Sequence, residues 1–150
     1  MIRILFVCHG NICRSPMGMF ILRDMVQKRG VAGQFLIDSA ATSTEEIGNG
    51  LYPPARRRLE AEGIPCTGHR ARQLTRADYA AYDLLLGADS ANLHNMRRIC
   101  GGDPDGKIRR LLDYSAAPRD IADPWYTDDF DTAYRDIVEG CEALLPQLGY

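Results

Sequence analysis

The sequence predicts a single α/β domain in which helices cover both faces of a four-stranded parallel sheet. Short apolar runs typical of buried strands alternate with amphipathic helical patterns, and a parallel sheet with crossover helices has this order of elements. The chain has 150 residues, a length that suits one domain with its own core. No internal repeat or low-complexity segment divides residues 1–150, so we expect one domain over the whole range.

A short loop joins the first predicted strand to the first predicted helix. Residues 2–7 form an apolar run with one interruption, as expected of a buried strand. The loop that follows contains Gly10 and Asn11, residue types that tolerate unusual backbone angles. The helix is predicted over 16–29, because Pro16 suits a first helical turn and apolar residues recur on one side.

The remaining elements are predicted from the same periodicities and from turn residues. In chain order they are a strand at 35–37 ending at Asp38-Ser39, a loop at 42–54, a helix at 54–62, a brief helix at 75–79, a strand at 82–87, a helix from Asp89 to about 98, a strand at 108–112 and a helix from 128 to about 145. In such folds ligands bind at the carboxyl ends of the strands, and the first loop lies at that edge.

The first loop, residues 8–14, has the composition of an anion-binding site. Backbone N–H groups at a helix N-terminus, together with the positive end of the helix dipole, favour a bound anion. Cys8 opens the loop, and a thiol beside such a cradle ionises readily and becomes a nucleophile. Arg14 closes the loop, and a guanidinium can hold a phosphate through two parallel hydrogen bonds. Residues 66–72 have the same Cys-to-Arg spacing as residues 8–14. We reject them because no strand precedes them and no helix start follows them directly.

The charge balance and the cysteine pattern exclude several classes of function. Lys and Arg number 18 and Asp and Glu number 20, so a net charge of −2 favours neither nucleic acid nor a membrane surface as partner. No apolar run approaches the roughly 20 residues of a membrane span, and no Cys/His spacing resembles a zinc site. We expect no metal, no cofactor and a monomeric chain. Five scattered cysteines, and a start that leads directly into a strand without a signal-peptide pattern, predict a cytoplasmic protein.

Several sequence blocks, taken together, resemble the low-molecular-weight protein tyrosine phosphatase family. The blocks follow the family's order, span nearly the full length, and lie at 7–16, 37–40, 71–75, 89–92 and 123–126. The resemblance implies an enzyme that hydrolyses phosphotyrosine in protein substrates and releases inorganic phosphate. It also implies a phosphate loop after the first strand, formed by Cys8 together with His9, Gly10, Asn11, Ile12, Cys13, Arg14 and Ser15.

The chemistry of such an enzyme assigns roles to the loop residues. Cys8 would attack phosphorus and form a thiophosphate ester, which splits one difficult hydrolysis into two easier steps. Arg14 would orient the phosphoryl oxygens and take up developing charge. Ser15 either hydrogen-bonds the Cys8 thiolate and helps it leave in the second step, or serves as a plain helix cap, and both roles are compatible.

A phenolate leaving group also needs a proton, and Asp123 is the predicted general acid and, in the second step, the base. Pro124 stiffens the backbone beside it, while Trp125 and Tyr126 can form an aromatic wall that stacks on a substrate ring. The family places its general acid at the Asp of this Asp-Pro-aromatic-aromatic motif. Asp103, which also precedes a proline, lies among glycines and is interpreted as a turn residue.

Further residues resemble supporting parts of the family's site. Asn11, Ser39 and His69 resemble the hydrogen-bond network that holds the phosphate loop in shape, although His69 taken alone is equally an ordinary surface or core residue. His9 occupies a position that is usually apolar in the family. It either faces the substrate, adding a pH dependence near neutrality, or is an exposed side chain without consequence. Cys13 either forms a disulfide with Cys8 on oxidation, a role that the resemblance favours, or packs against the helix.

Two features bear on the substrate and on the alternatives. The family often carries an aromatic residue in the loop after Ser43, where this chain has Glu45 and Glu46, so the shape and charge of the pocket differ there. Arsenate reductases resemble the same loop but use two further closely spaced cysteines, and residues 90–98 contain none. Protein-arginine phosphatases typically carry Thr where this chain has Ile12, and an apolar side chain favours an aryl substrate. A non-catalytic phosphate-binding module would have lost Cys8 or Asp123, and both are present.

Overall fold

Four parallel strands form one sheet in the order β2-β1-β3-β4. The computed structural model describes residues 1–150 and confirms the predicted α/β class, with helices packed against the sheet. The strands are β1 Ile2–Cys8, β2 Phe35–Ala41, β3 Leu84–Gly87 and β4 Ile108–Arg110. The helices are α1 Arg14–Lys28, α2 Pro53–Ala61, α3 Arg76–Ala81, α4 Ser90–Cys100, α5 Pro124–Thr127 and α6 Phe130–Gln147. None of these helices is long and apolar enough to cross a membrane.

Strand β1 is central and is buried on both faces, which explains its nearly continuous apolar sequence. Alternate side chains of β1 enter two separate cores. Ile4 and Phe6 belong to the larger core, which also contains residues of α1 and α6. Leu5 and Val7 belong to the smaller core, which contains residues of α4. The strand period of two therefore places helices on both faces of the sheet.

Helix α1 lies unusually close to β1 at Gly18. A Cβ atom built on Gly18 would lie only 2.6 Å from Cδ1 of the Phe6 ring, a distance that a real methyl group does not reach. The hydrogen side chain of glycine thus allows the helix to rest directly on the strand. Because α1 begins at the end of the first loop, this contact also sets the position of that loop relative to the sheet.

Several predicted boundaries differ from those in the structure. Helix α1 begins at Arg14, two residues before Pro16. Strand β2 does not end at Ser39 but continues to Ala41, because its last residues pair with the end of β1. The strand predicted over 108–112 ends at Arg110, since Leu111–Tyr114 forms a 3₁₀ turn. The strand predicted from 82 begins at Leu84.

The helical predictions at 54–62 and 75–79 are each shifted by one or two residues relative to α2 and α3. Helix α6 begins at Phe130 rather than at 128, because the Asp129 carboxylate accepts the Thr132 N–H at 3.0 Å and caps it there. The helix then runs on to Gln147, past the predicted end. Terminal residues are the least determined by periodicity, since caps and tertiary contacts decide them.

Candidate active site

The first loop bends around the sulfur of Cys8. Cys8 is the last residue of β1 and is only 3% exposed. Its Sγ accepts the backbone N–H of Ser15 at 3.4 Å and lies 3.0 Å from the Ser15 hydroxyl oxygen. Asn11 makes the turn possible with a left-handed φ of 59°, a conformation that asparagine tolerates better than most residues. The sulfur therefore faces the amide-lined side of the loop, at the N-terminus of α1.

Ser15 is oriented so that its hydroxyl hydrogen can reach that sulfur. The Asn11 side-chain amide donates to Ser15 Oγ at 2.8 Å, which occupies a lone pair of the oxygen. The hydroxyl hydrogen is then free to donate to Cys8 Sγ at 3.0 Å, whereas the other available acceptor, the Ala40 carbonyl, is farther away at 3.4 Å. A thiolate at Cys8 would thus receive two donors from one residue.

The guanidinium of Arg14 is buried beside the loop and held by several acceptors. Its Nη1 donates to Asp89 Oδ2 and to the Ile121 carbonyl, both at 2.7 Å, and its Nη2 donates to Asp123 Oδ2 at 3.4 Å. Burial by itself would lower the pKa of Arg14, but the charges of Cys8 and of the two carboxylates outweigh it and raise the pKa. Arg14 lines the pocket, and its Nε is also buried and donates to no protein acceptor.

Asp89 is a site residue that the sequence interpretation did not recognise. We predicted it only as the cap of α4, which it is, because its Oδ1 accepts the Asn92 N–H at 2.8 Å. Its other oxygen holds Arg14, which is 75 positions earlier in the chain. A usable signal was present: Asp89 follows the carboxyl end of β3, which pairs with β1 next to Cys8.

Asn11 is the centre of the network that supports the loop. Its carbonyl accepts the His69 Nε2–H at 2.7 Å, and its side-chain oxygen accepts the Arg72 backbone N–H at 3.1 Å. Burial, with a further contribution from nearby arginines, lowers the pKa of His69, so the imidazole is neutral near pH 7 and carries its proton on Nε2 in this arrangement. The structure therefore brings His69 and Asn11 together, as the resemblance implied.

Ser39 makes no hydrogen bond within this network. Its hydroxyl donates to Met19 Sδ at 3.5 Å, and it makes no hydrogen bond to the loop or to His69. Ser39 lies inside β2, paired with Phe6, rather than at a strand end, and this position holds its side chain under α1. Ser39 and His69 line one cavity without a hydrogen bond between them, so a role for Ser39 in the supporting network stays a prediction.

A pocket of about 100 Å³ opens above the sulfur. It brings together most of the predicted site residues and two further glutamates, and its lining is Cys8, His9, Gly10, Ile12, Cys13, Arg14, Glu45, Glu46, Asp123, Trp125 and Tyr126. Asn11 and Ser15 belong to the same segment of the chain but do not line the pocket, because both are fully or almost fully buried. Asp123 caps the short helix α5 by accepting the Trp125 N–H at 3.1 Å, which directs its other oxygen toward Arg14.

One side of the pocket mouth is aromatic. The side chains of Trp125 and Tyr126 are 52% and 81% exposed, which leaves their faces available to a ligand. The ring of Tyr52 lies 4.9 Å from the Trp125 ring at an angle of 52°, so Tyr52 supports this wall and does not form the opposite one. The pocket lining also includes His9, Glu45 and Glu46, and Glu46 shares a neighbouring cavity with Tyr52 and Trp125.

The five cysteines are free and buried, in different environments. Cys13 lines the pocket, and burial, followed by the nearby charges of Cys8 and Asp123, raises its pKa, so it is a protonated thiol near neutrality. Cys66, the rejected candidate, lies outside the pocket, and burial raises its pKa as well. No group of three or more His, Cys, Asp or Glu side chains is arranged to hold a metal ion.

The fold and the pocket define a class of protein: α/β phosphatases built around one thiol, one guanidinium and one carboxylate at a single anion loop. The chain belongs to the low molecular weight phosphotyrosine protein phosphatase family, whose model matches residues 3–150. It is 39% identical over 150 residues to the low molecular weight protein-tyrosine-phosphatase YfkJ of Bacillus subtilis, with 99% of this chain and 96% of YfkJ covered.

The crystal structure of YfkJ superimposes with a TM-score of 0.94, covering 99% of this chain and 95% of that one. The human low molecular weight phosphotyrosine protein phosphatase is also 39% identical over 150 residues, with 95% of this chain and 92% of that protein covered. The crystal structure of DARP, a Drosophila arginine phosphatase, matches with a TM-score of 0.90 at 28% identity, with 98% of each chain covered.

Proposed function

We propose that the protein is a tyrosine phosphatase that hydrolyses phosphotyrosine in protein substrates through a cysteinyl-phosphate intermediate. The observation that carries the proposal is that Cys8, Arg14 and Asp123 line one pocket, with the backbone N–H of Ser15 donating to the sulfur. Family membership supports it, because YfkJ and the human relative are both named as tyrosine phosphatases.

In the first step Cys8 Sγ attacks phosphorus, so that an S–P bond forms and the P–O bond to the phenol breaks. The departing phenolate takes a proton from Asp123, whose carboxyl group lies on the same pocket. The amides of the loop and the unpaired N–H of Arg14 Nε are the donors available to the phosphoryl oxygens, and they strengthen as charge develops.

In the second step water attacks the phosphocysteine, and the S–P bond breaks to release inorganic phosphate. Asp123, now a carboxylate, accepts a proton from that water. The leaving thiolate of Cys8 is received by the hydroxyl and the backbone N–H of Ser15. The same two donors therefore stabilise the sulfur before the first step and at the end of the second.

An aryl substrate fits the pocket better than a guanidinium substrate. Ile12 is 8% exposed and presents a hydrocarbon surface inside the pocket, while Trp125 and Tyr126 offer rings for stacking. The resemblance to DARP keeps arginine phosphatase activity as the second candidate function. Five free, buried thiols support a reducing compartment such as the cytoplasm.

The nucleophile is tested with Cys8→Ser. This variant should not turn over an aryl phosphate but should still bind inorganic phosphate, because the amides and Arg14 remain. Steady-state kinetics and calorimetric titration with phosphate measure the two properties. Hydrolysis by purified Cys8→Ser protein would remove Cys8 from the mechanism.

The general acid is tested with Asp123→Ala and two substrates that differ in their leaving groups. Phosphotyrosine has a poor leaving group and should lose far more kcat than an activated nitrophenyl phosphate, which departs without a proton. Asp131→Ala, an exposed carboxylate on α6 outside the pocket, is the matched control. Equal losses on both substrates would contradict the assignment.

The substrate class is tested by comparing phosphotyrosine, phosphoserine and phosphoarginine peptides side by side, with arsenate and a thiol reductant as a fourth assay. Phosphotyrosine should be hydrolysed with the highest kcat/KM. A higher value for phosphoarginine would favour the second candidate, and arsenate reduction would indicate a reductase on the same scaffold.

A further inference from the structure

Two glutamates at the pocket mouth have no lysine or arginine partner. Glu45 and Glu46, here called the acidic rim, lie between β2 and α2, and both line the pocket that contains Cys8 and Arg14. Neither glutamate forms an ion pair with a lysine or an arginine. The side chain of Glu46 lies over the loop itself, since a Cβ atom built on Gly10 would be 3.5 Å from Glu46 Cγ.

Polar contacts position both carboxylates of the acidic rim without neutralising them through a permanent cation. Glu45 Oε2 accepts from His9 Nε2 at 3.0 Å while its side chain remains 68% exposed. Glu46 Oε2 accepts from the Asn49 side chain at 2.6 Å. One glutamate is thereby tied to the phosphate loop and the other to its own loop, so their negative charges stay at the mouth of the pocket.

The acidic rim is part of a ligand site and not an isolated acidic surface. The guanidinium of Arg14, 3% exposed, lines the same pocket and has an Nε–H without a protein acceptor. A phosphate bound there places the residues next to the phosphorylated side chain at the pocket mouth. There they meet the carboxylates of the acidic rim together with the exposed rings of Trp125 and Tyr126.

Both kinds of side chain at this mouth attract positive charge. Carboxylates attract an ammonium or guanidinium group by Coulomb interaction, and the faces of Trp and Tyr attract the same groups through cation–π contact. A negatively charged neighbour meets only repulsion from the acidic rim, which is a way of rejecting the wrong partner.

We propose that the acidic rim is a subsite for a basic side chain and that the preferred substrate is a phosphotyrosine flanked by lysine or arginine. This inference rests on the proposed function, whose chemistry it takes as given. Exposed charge pairs contribute modestly one by one. Two carboxylates can each interact with the residues on either side of phosphotyrosine. Together, we expect these interactions to make kcat/KM about tenfold higher for basic than for acidic flanking residues, equivalent to about 1.4 kcal/mol.

Three peptides that are identical apart from the residues on either side of phosphotyrosine provide the first measurement. The flanks are lysine, glutamine or glutamate, and kcat/KM is measured for the wild-type protein at an ionic strength of about 0.01 M and of about 1 M, where the Debye length is about 30 Å and about 3 Å. We expect the order lysine, glutamine, glutamate at low salt, and near-equality at high salt. Equal values at low salt, or the reverse order, would overturn the subsite.

Matched variants provide the second measurement. The double variant Glu45→Gln/Glu46→Gln should reduce the lysine-to-glutamate ratio from about tenfold to about twofold. The control is Glu60→Gln/Glu142→Gln, which changes the net charge equally at exposed positions on α2 and α6 outside the pocket. The control should keep the wild-type ratio. The same loss of ratio in both double variants would assign the effect to net charge and overturn the subsite.

A failure of the subsite proposal can be distinguished from a failure of the proposed function. A nitrophenyl phosphate, which has no flanking residues, is assayed in parallel with every protein. If the wild-type protein hydrolyses the three peptides with equal kcat/KM, the subsite is wrong and the proposed function stands. If it hydrolyses none of the three peptides, the proposed function itself is wrong, and the subsite falls with it.

Discussion

Substitution of Asn11 tests how the phosphate loop is held in its shape. Asn11 is fully buried and has a φ of 59°. Its side chain donates to Ser15 Oγ at 2.8 Å and accepts from the Arg72 N–H at 3.1 Å. Asn11→Ala removes both hydrogen bonds and forces a residue with an unfavourable left-handed conformation into the turn. Asn11→Gly removes the same two bonds but tolerates the turn.

The magnitudes follow from these contacts. Two lost hydrogen bonds cost about 2 kcal/mol of unfolding free energy, and the left-handed alanine costs about 1–2 kcal/mol more. Asn11→Ala should therefore lose about 3–4 kcal/mol. Asn11→Gly loses the same two hydrogen bonds and avoids the strain, but the flexibility of its unfolded chain costs about 0.5–1 kcal/mol in addition. We expect glycine to be the more stable replacement by about 0.5–1 kcal/mol.

The assay is urea unfolding followed by far-ultraviolet circular dichroism, with stabilities compared at equal m values. Asn95, which is in the middle of α4, is the matched control, because there the ordinary helical preference applies and alanine should be more stable than glycine by about 1 kcal/mol. If alanine were at least as stable as glycine at position 11, the loop would not depend on a left-handed residue. Both Asn11 variants should also lose kcat/KM, since Ser15 loses the donor that orients its hydroxyl.

Three further predictions concern other parts of the structure. Asp89→Asn should lower kcat/KM at least about tenfold by removing a charged partner of Arg14, while asparagine preserves the α4 cap; unchanged kinetics would contradict this. Gly18→Ala should lose about 1–2 kcal/mol in urea unfolding through its clash with Phe6, although alanine favours helices; a gain in stability would refute the close packing. Hydrogen bonds from Arg119 and Ser115 lower the pKa of Glu139 from 4.5 to about 2. Because a depressed carboxyl pKa stabilises the fold above the unfolded value, this contribution should be complete above about pH 4.5 and disappear toward pH 2. Glu139→Gln should flatten the fall in stability over that range, and an unchanged slope would count against the pairing.

The hydrophobic periodicity of the sequence was sufficient to predict the class of fold, because it indicates which residues are buried. The run in β1 is apolar on both faces, and it does form the buried centre of the sheet. Periodicity was insufficient at the ends of elements. Strand β2 extends to Ala41 only because its last residues find partners in β1, and no local pattern contains that information.

Long-range contacts account for the errors at the site. The hydrogen bond between Asp89 and Arg14 joins residues 75 positions apart, whereas local sequence patterns predicted only the role of Asp89 as a helix cap. Ser39 was expected in the supporting network because it resembles the family's residue there and ends the second predicted strand. Its hydroxyl instead points to Met19, since its register in β2 places it under α1.

The sequence by itself showed that a thiol, a guanidinium and an asparagine that tolerates left-handed angles lie in one short segment between a strand and a helix. Because these residues are contiguous, no long-range contact was needed to predict that they share one loop. Only the tertiary structure decided which distant groups surround that loop: the second carboxylate on Arg14, and the acidic rim that shares the pocket with the aromatic side chains. These contacts join segments whose distance along the chain says nothing about their distance in space, because the packing of helices on the sheet sets it.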